Sequence, residues 1–155
     1  MIDTIIYKTF VAANPDKVFQ AITTSDGWNS WFTQDSSIDL REGGEMILKW
    51  HGFGPNFNTF EDKCEVLEIV PNEKFSFRWT PVDKDHPTVV TFKLFAEYGG
   101  TIVRVKDEGY PVHSQELQRI MMECACGWGE ALTLLKFYIE FGVTYQHPEE
   151  QKKMQ

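Results

Sequence analysis

Cysteine is scarce in this 155-residue chain, which carries only Cys64, Cys124 and Cys126. An odd, sparse set excludes a disulfide framework and points to reduced thiols in a cytoplasm. No run of about 18 apolar residues occurs, which excludes a membrane-spanning helix. The opening Met1-Ile2-Asp3-Thr4-Ile5-Ile6-Tyr7-Lys8 lacks the layout of a signal peptide and reads as a strand that begins at once. Basic residues number 15 against 23 acidic ones, a formal charge of −8. Without a basic stripe to neutralise phosphates, a nucleic-acid partner is excluded; the acidic excess serves solubility. Motifs of catalysis are missing too: there is no Gly-x-Ser-x-Gly elbow, no phosphate loop and no dinucleotide fingerprint. His51, His86, His113 and His147 fall on separate segments. Cys124-x-Cys126 lies in a predicted helix, where residues two apart point about 200° from one another, a poor metal clamp. No metal and no cofactor is expected.

What the chain does have is rings and one long helix. Twelve Phe, five Tyr and five Trp must dominate the interior, since each buried ring removes about 150–250 Å² from water. From Ser114 to Gly142, apolar residues fall at Leu117, Ile120, Met121, Cys124, Trp128, Ala131, Leu132, Leu135, Tyr138 and Ile139. That spacing of three and four marks one stripe on a helix. A single long amphipathic helix closing a strand-rich chain must lay its stripe on a sheet. The space between helix and sheet is then either a filled core or a ligand cavity.

Ile2 to Val11 reads as a first strand. Asn14-Pro15-Asp16 starts a helix, with Asn as N-cap and Pro at the first helical position. A second short helix, capped by Ser25 or Asp26, holds Trp28, Trp31 and Phe32. Strands then follow in series: Ser37 to Leu40, Glu45 to His51, Phe57 to Val70, Phe75 to Trp79, Thr88 to Glu97 and a last one from Thr101. Alternation places Met46, Leu48 and Trp50 on one face, as it does Phe75, Phe77 and Trp79 against Ser76 and Arg78. It likewise groups Val90, Phe92 and Leu94, and then Val103, Val105 and Asp107. Hairpin turns such as Arg41-Glu42-Gly43-Gly44 and Tyr98-Gly99-Gly100 join neighbours, so the sheet is an antiparallel meander of about seven strands in an α+β domain. The first strand suits pairing with the last. Residues 1–145 form one domain, and the polar tail 146–155 is expected to fray.

This order and several motifs resemble the activator of heat-shock-protein-90 ATPase homologue family, within the START, polyketide-cyclase and birch-pollen-allergen (SRPBCC) superfamily. The matching residues include Asn14-Pro15-Asp16-Lys17-Val18-Phe19-Gln20-Ala21, Trp31-Phe32, Asp39-Leu40-Arg41-Glu42-Gly43-Gly44 and Val66-Leu67-Glu68-Ile69-Val70-Pro71-Asn72-Glu73-Lys74-Phe75. Phe77-Arg78-Trp79, Gly99-Gly100-Thr101 and Gly127-Trp128-Gly129-Glu130-Ala131-Leu132 complete the set. The resemblance implies a helix-grip fold, in which a curved antiparallel sheet wraps the C-terminal helix. It also implies either a binder of small hydrophobic molecules or a chaperone-associated module. The eukaryotic namesake is a cochaperone with a separate N-terminal domain, for which a strand beginning at residue 2 leaves no room.

A pocket between sheet and helix would be walled by Leu48, Trp50, Phe75, Phe77 and Trp79, by Phe92, Leu94, Val103 and Val105, and from the helix by Met121, Cys124, Trp128 and Leu132. Phe53, Phe60 and Tyr110 are placed at its mouth. For each ring, ordinary core filling stays open. Asp107 shares strand parity with Val103 and Val105; it either points inward, to orient a ligand or act as a general base, or reaches a solvated rim. Glu61 and Glu65 reach the pocket in one register and not in the other, whereas Arg78 faces outward. Three functions follow: a non-enzymatic binder of a small apolar or aromatic molecule, a module that docks on a chaperone or other protein, and a cyclase- or hydratase-like enzyme using Asp107.

Overall fold

The computed structural model describes residues 1–145; the expected polar tail, 146–155, lies outside them. The elements run β1 (Thr4–Val11), α1 (Pro15–Thr23), α2 (Ser25–Trp31), β2 (Ser37–Ile38), β3 (Glu45–Phe53), β4 (Asn58–Val70), β5 (Lys74–Trp79), β6 (Thr88–Glu97), β7 (Gly100–Glu108) and α3 (Gln115–Phe141). All seven strands join one antiparallel sheet in the order β1-β7-β6-β5-β4-β3-β2. First and last strands pair along their whole length, from Thr4 opposite Glu108 to Val11 opposite Thr101.

Local chemistry sets most boundaries. Pro15 opens α1, although Asn14 makes no side-chain cap bond. The cap of α2 is Thr24, one residue before the expected pair, and its hydroxyl accepts the Gly27 N–H at 3.0 Å. Ser114 caps α3 by accepting from Leu117, and Gly142 closes it at φ 70°, a left-handed turn that glycine adopts without penalty. β4 begins at Asn58 because Phe57 sits at φ 50° in the preceding turn. β2 is cut to two residues, since the chain after Ile38 folds into the turn closed by Gly44 N–H on Arg41 O.

The inner face of the sheet alternates as the sequence predicts: Met46, Leu48 and Trp50, then Phe75 and Phe77, Val90, Phe92 and Leu94, and Val103, Val105 and Asp107 are all buried. Burial along α3 is uneven. Trp128, Ala131, Leu132 and Leu135 are buried, whereas Gln115 to Gly127 includes no buried residue. The C-terminal half is fastened to β1: Lys136 Nζ donates to Phe10 O at 2.5 Å, and Glu140 accepts the Ala12 N–H at 3.0 Å while pairing with Lys136. The N-terminal half is held instead to the loop before it, where Gln118 Nε2 donates to Val112 O at 2.9 Å.

Candidate ligand-binding pocket

Two tryptophans hold the short helices together from inside. The Trp28 indole donates to Ile22 O at 2.7 Å and that of Trp31 to Ala21 O at 2.9 Å. These carbonyls end α1 and would otherwise lack partners. The approach needs a glycine at 27, where an added Cβ would stand 2.5 Å from Ala21 O. So placed, Trp28 meets Phe77 and Phe92 edge-on, and α1 covers β5 and β6. That half of the concave sheet is filled.

The other half is open. A pocket of about 320 Å³ lies between the end of α2, strands β3 and β4, the end of β5 and the helix α3. Phe32 stacks on Trp31 and turns its edge to Trp50 and Phe53. Trp50 stacks on Phe60 across the β3–β4 pair, centroids 4.6 Å apart. Trp79, Cys124, Gly127, Trp128 and Ala131 form the opposite wall, with Thr80 and Pro81 beside them.

One rung beyond Trp50–Phe60, Leu48 stands opposite Asp62. Partners across a strand pair share a face, so the Asp62 carboxylate turns inward with Leu48. Its Oδ1 accepts the Thr80 hydroxyl at 3.0 Å. Burial pushes its pKa up, and bonds from the Thr80 side chain and backbone pull it partly back. A second polar feature is the Trp50 indole N–H, buried and without a hydrogen-bond partner among the described residues.

Asp107 lies behind this wall, fully buried. Its carboxylate accepts from Tyr110 Oη at 2.6 Å, Trp128 Nε1 at 3.0 Å and Trp79 Nε1 at 3.4 Å. Burial raises its pKa, and the surrounding donors, with the nearby Thr88 hydroxyl, offset part of that rise. Tyr110 is pushed up in turn by burial and by the Asp107 charge. Trp79 and Trp128 each present another part of the ring system to the pocket, so Asp107 acts on the pocket through its walls and not by touching its contents. The inward placement holds and the solvated rim does not: three donors occupy this carboxylate in the interior.

Of the residues expected around a ligand, Leu48, Trp50, Phe53, Phe60, Trp79, Cys124 and Trp128 line the pocket. Phe75, Phe77, Phe92, Leu94, Val103 and Val105, with Leu132 of α3, face inward but are packed in the core; the short helices occupy the space above that part of the sheet. Tyr110 is buried on Asp107 instead of standing at the mouth, and Met121 packs against the core edge without reaching the pocket. Glu61 reaches the rim, whereas Glu65 is exposed and pairs with Arg78 on the outer face at 3.0 Å. Sequence reasoning missed Trp28, Phe32, Asp62, Thr80, Pro81, Gly127 and Ala131. Asp62 had a legible signal: it shares parity with Phe60, Cys64 and Val66. Among the described residues, no group of three His, Cys, Asp or Glu side chains could hold a metal ion, and no helix is long and apolar enough to cross a membrane.

A curved antiparallel sheet gripping a C-terminal helix, with a pocket at the open end, defines the helix-grip class of START-like, SRPBCC proteins. Within it, the chain belongs to the family described as activator of Hsp90 ATPase homolog 1-like protein, which matches residues 12–140. Among solved structures it is similar to the Aha1 dimer from Colwellia psychrerythraea, at 25% identity over 92% of this chain and 98% of that one, TM-score 0.72. It is also similar in fold to CalU16 from Micromonospora echinospora (24% identity, 96% of this chain and 79% of that one, TM-score 0.68). The protein CV1439 from Chromobacterium violaceum shares the fold at 21% identity, over 90% of this chain and 99% of that one, TM-score 0.73. No curated protein matches the chain.

Proposed function

We propose that this protein binds a small, largely aromatic or apolar molecule in the pocket between β3, β4 and α3, without transforming it. The observation that carries this reading is the pocket wall itself: about 320 Å³ enclosed mainly by rings, with the Asp62–Thr80 pair and the unpaired Trp50 N–H as its few polar points. Small-molecule sites have that composition. An unpaired buried donor costs free energy that a ligand oxygen would recover. Gly127 adds support. It sits inside a long helix, where glycine costs about 0.5–1 kcal/mol relative to alanine, and an added Cβ would meet nothing within 4 Å. No packing constraint demands glycine there, and the open space beside it belongs to the pocket.

The test is native mass spectrometry of the protein gently purified from its own cells. A reproducible excess mass that vanishes on denaturation, and is lost in Gly127→Leu, supports the reading. Bare protein, together with no uptake of apolar probes, counts against it. A second reading, docking on a chaperone or other protein, has its own observation: Phe137, Phe141 and Val143 are exposed in succession at the end of α3. Capture that is lost on Phe141→Glu but kept in Gly127→Leu would favour it.

A further inference from the structure

We propose that the pocket's ligand is an organic cation, a protonated amine on an aromatic or apolar body; this rests on the binding reading above. The charge on the wall is one-sided. Asp62 enters it from β4, with Glu61 at the rim, and no lysine, arginine or histidine lines it. Neighbouring carboxylates on the same strand are already neutralised, Glu65 by Arg78 at 3.0 Å and Glu68 by Lys74 at 2.7 Å. Asp62 has the Thr80 hydroxyl and, among the described residues, no cation. A carboxylate withdrawn from water without a counter-charge is costly. Burial accordingly holds the Asp62 carboxyl above the usual range, a cost that a cationic ligand would offset.

The rings around it point the same way. Phe60 lies two residues before Asp62 on the same face, Trp50 stacks on Phe60, and Trp79 adjoins Thr80. Faces of Trp and Phe attract ammonium groups, most strongly where water is excluded. An anionic ligand would meet the Asp62 carboxylate and no compensating base in the wall. The Trp50 N–H takes an oxygen acceptor on the same molecule, leaving the Asp62 side for its donor end.

Three probes of matched shape decide the matter by calorimetric titration at neutral pH: naphthylmethylamine, naphthylmethanol and naphthoate. The amine is expected to bind about tenfold or more tightly than the alcohol, with naphthoate weakest. Asp62→Asn, checked for folding by its thermal transition, should bring the amine down to about the level of the alcohol and change the alcohol far less than the amine. Equal binding of amine and alcohol to the unmodified protein overturns the cation assignment while sparing the pocket, as does equal weakening of both by Asp62→Asn. Binding of none of the three, with bare protein in native spectra, overturns both.

Discussion

The Trp128 indole of α3 donates to the Asp107 carboxylate of β7 at 3.0 Å, in an interior where both residues are buried. This bond joins the long helix to the sheet at the point where the pocket begins. With Tyr110 and Trp79 on the same carboxylate, one acidic residue anchors a loop, a strand end and a helix.

Asp107→Ala should therefore be costly. It would leave three donors unpaired in the interior, at about 1–3 kcal/mol each when fully buried. A loss of about 3 kcal/mol or more is expected from the denaturant midpoint. An unchanged midpoint would show that water replaces the carboxylate without penalty.

Two Trp→Phe substitutions remove the same kind of N–H from opposite situations. Trp28→Phe strips the bond to Ile22 O and strands a helix-terminal carbonyl, so a loss of about 1–3 kcal/mol is expected. Trp50→Phe removes a donor that has no partner among the described residues. Its gain offsets the smaller ring, and stability should stay within about 1 kcal/mol of the unmodified protein. Equal losses in the two variants would contradict the unpaired state of Trp50.

The pH dependence at Asp62 should run opposite to that of an ordinary paired carboxylate. Burial sets its native pKa above the unfolded value, so its contribution to stability is fully present below about pH 4. That contribution is lost as pH rises through the native pKa. Asp62→Asn removes the titration and keeps an acceptor for Thr80. The variant should match or exceed the unmodified protein at neutral pH, with the difference shifting toward the unmodified protein as pH falls to about 4. A difference independent of pH would show that Asp62 does not titrate between the two states.

Gly127→Ala should stabilise the fold by about 0.5–1 kcal/mol, because the helix interior favours alanine and the added methyl meets open space. The same methyl narrows the pocket, so affinity for the naphthyl probes should drop. Stability that falls would mean the wall is already closed at this point.

Much of the fold was legible because its signals are short-range. The stripe from Leu117 to Ile139 and the caps Ser114 and Gly142 lie within one helix. The alternation of Phe75, Phe77 and Trp79 needs only the pleat of one strand. Residues of the pocket were harder. Phe75, Phe77, Phe92, Val103 and Val105 carry the same inward parity as Leu48 and Trp50, yet they are core, because α1 and α2 settle over one half of the sheet and leave the other open.

Periodicity along the chain thus determined the elements, the inward face of the sheet and the pairing of the first strand with the last. Tertiary structure alone decided which inward residues meet a pocket and which carboxylate enters it. Asp107 is consumed by three donors drawn from β5, α3 and the loop before it, whereas the β3–β4 register sets Asp62 opposite Leu48 and turns it to the pocket. A pleat assigns a side chain to a face by position within its own strand. What waits on that face depends on partners many residues away, and only the packed chain brings them there.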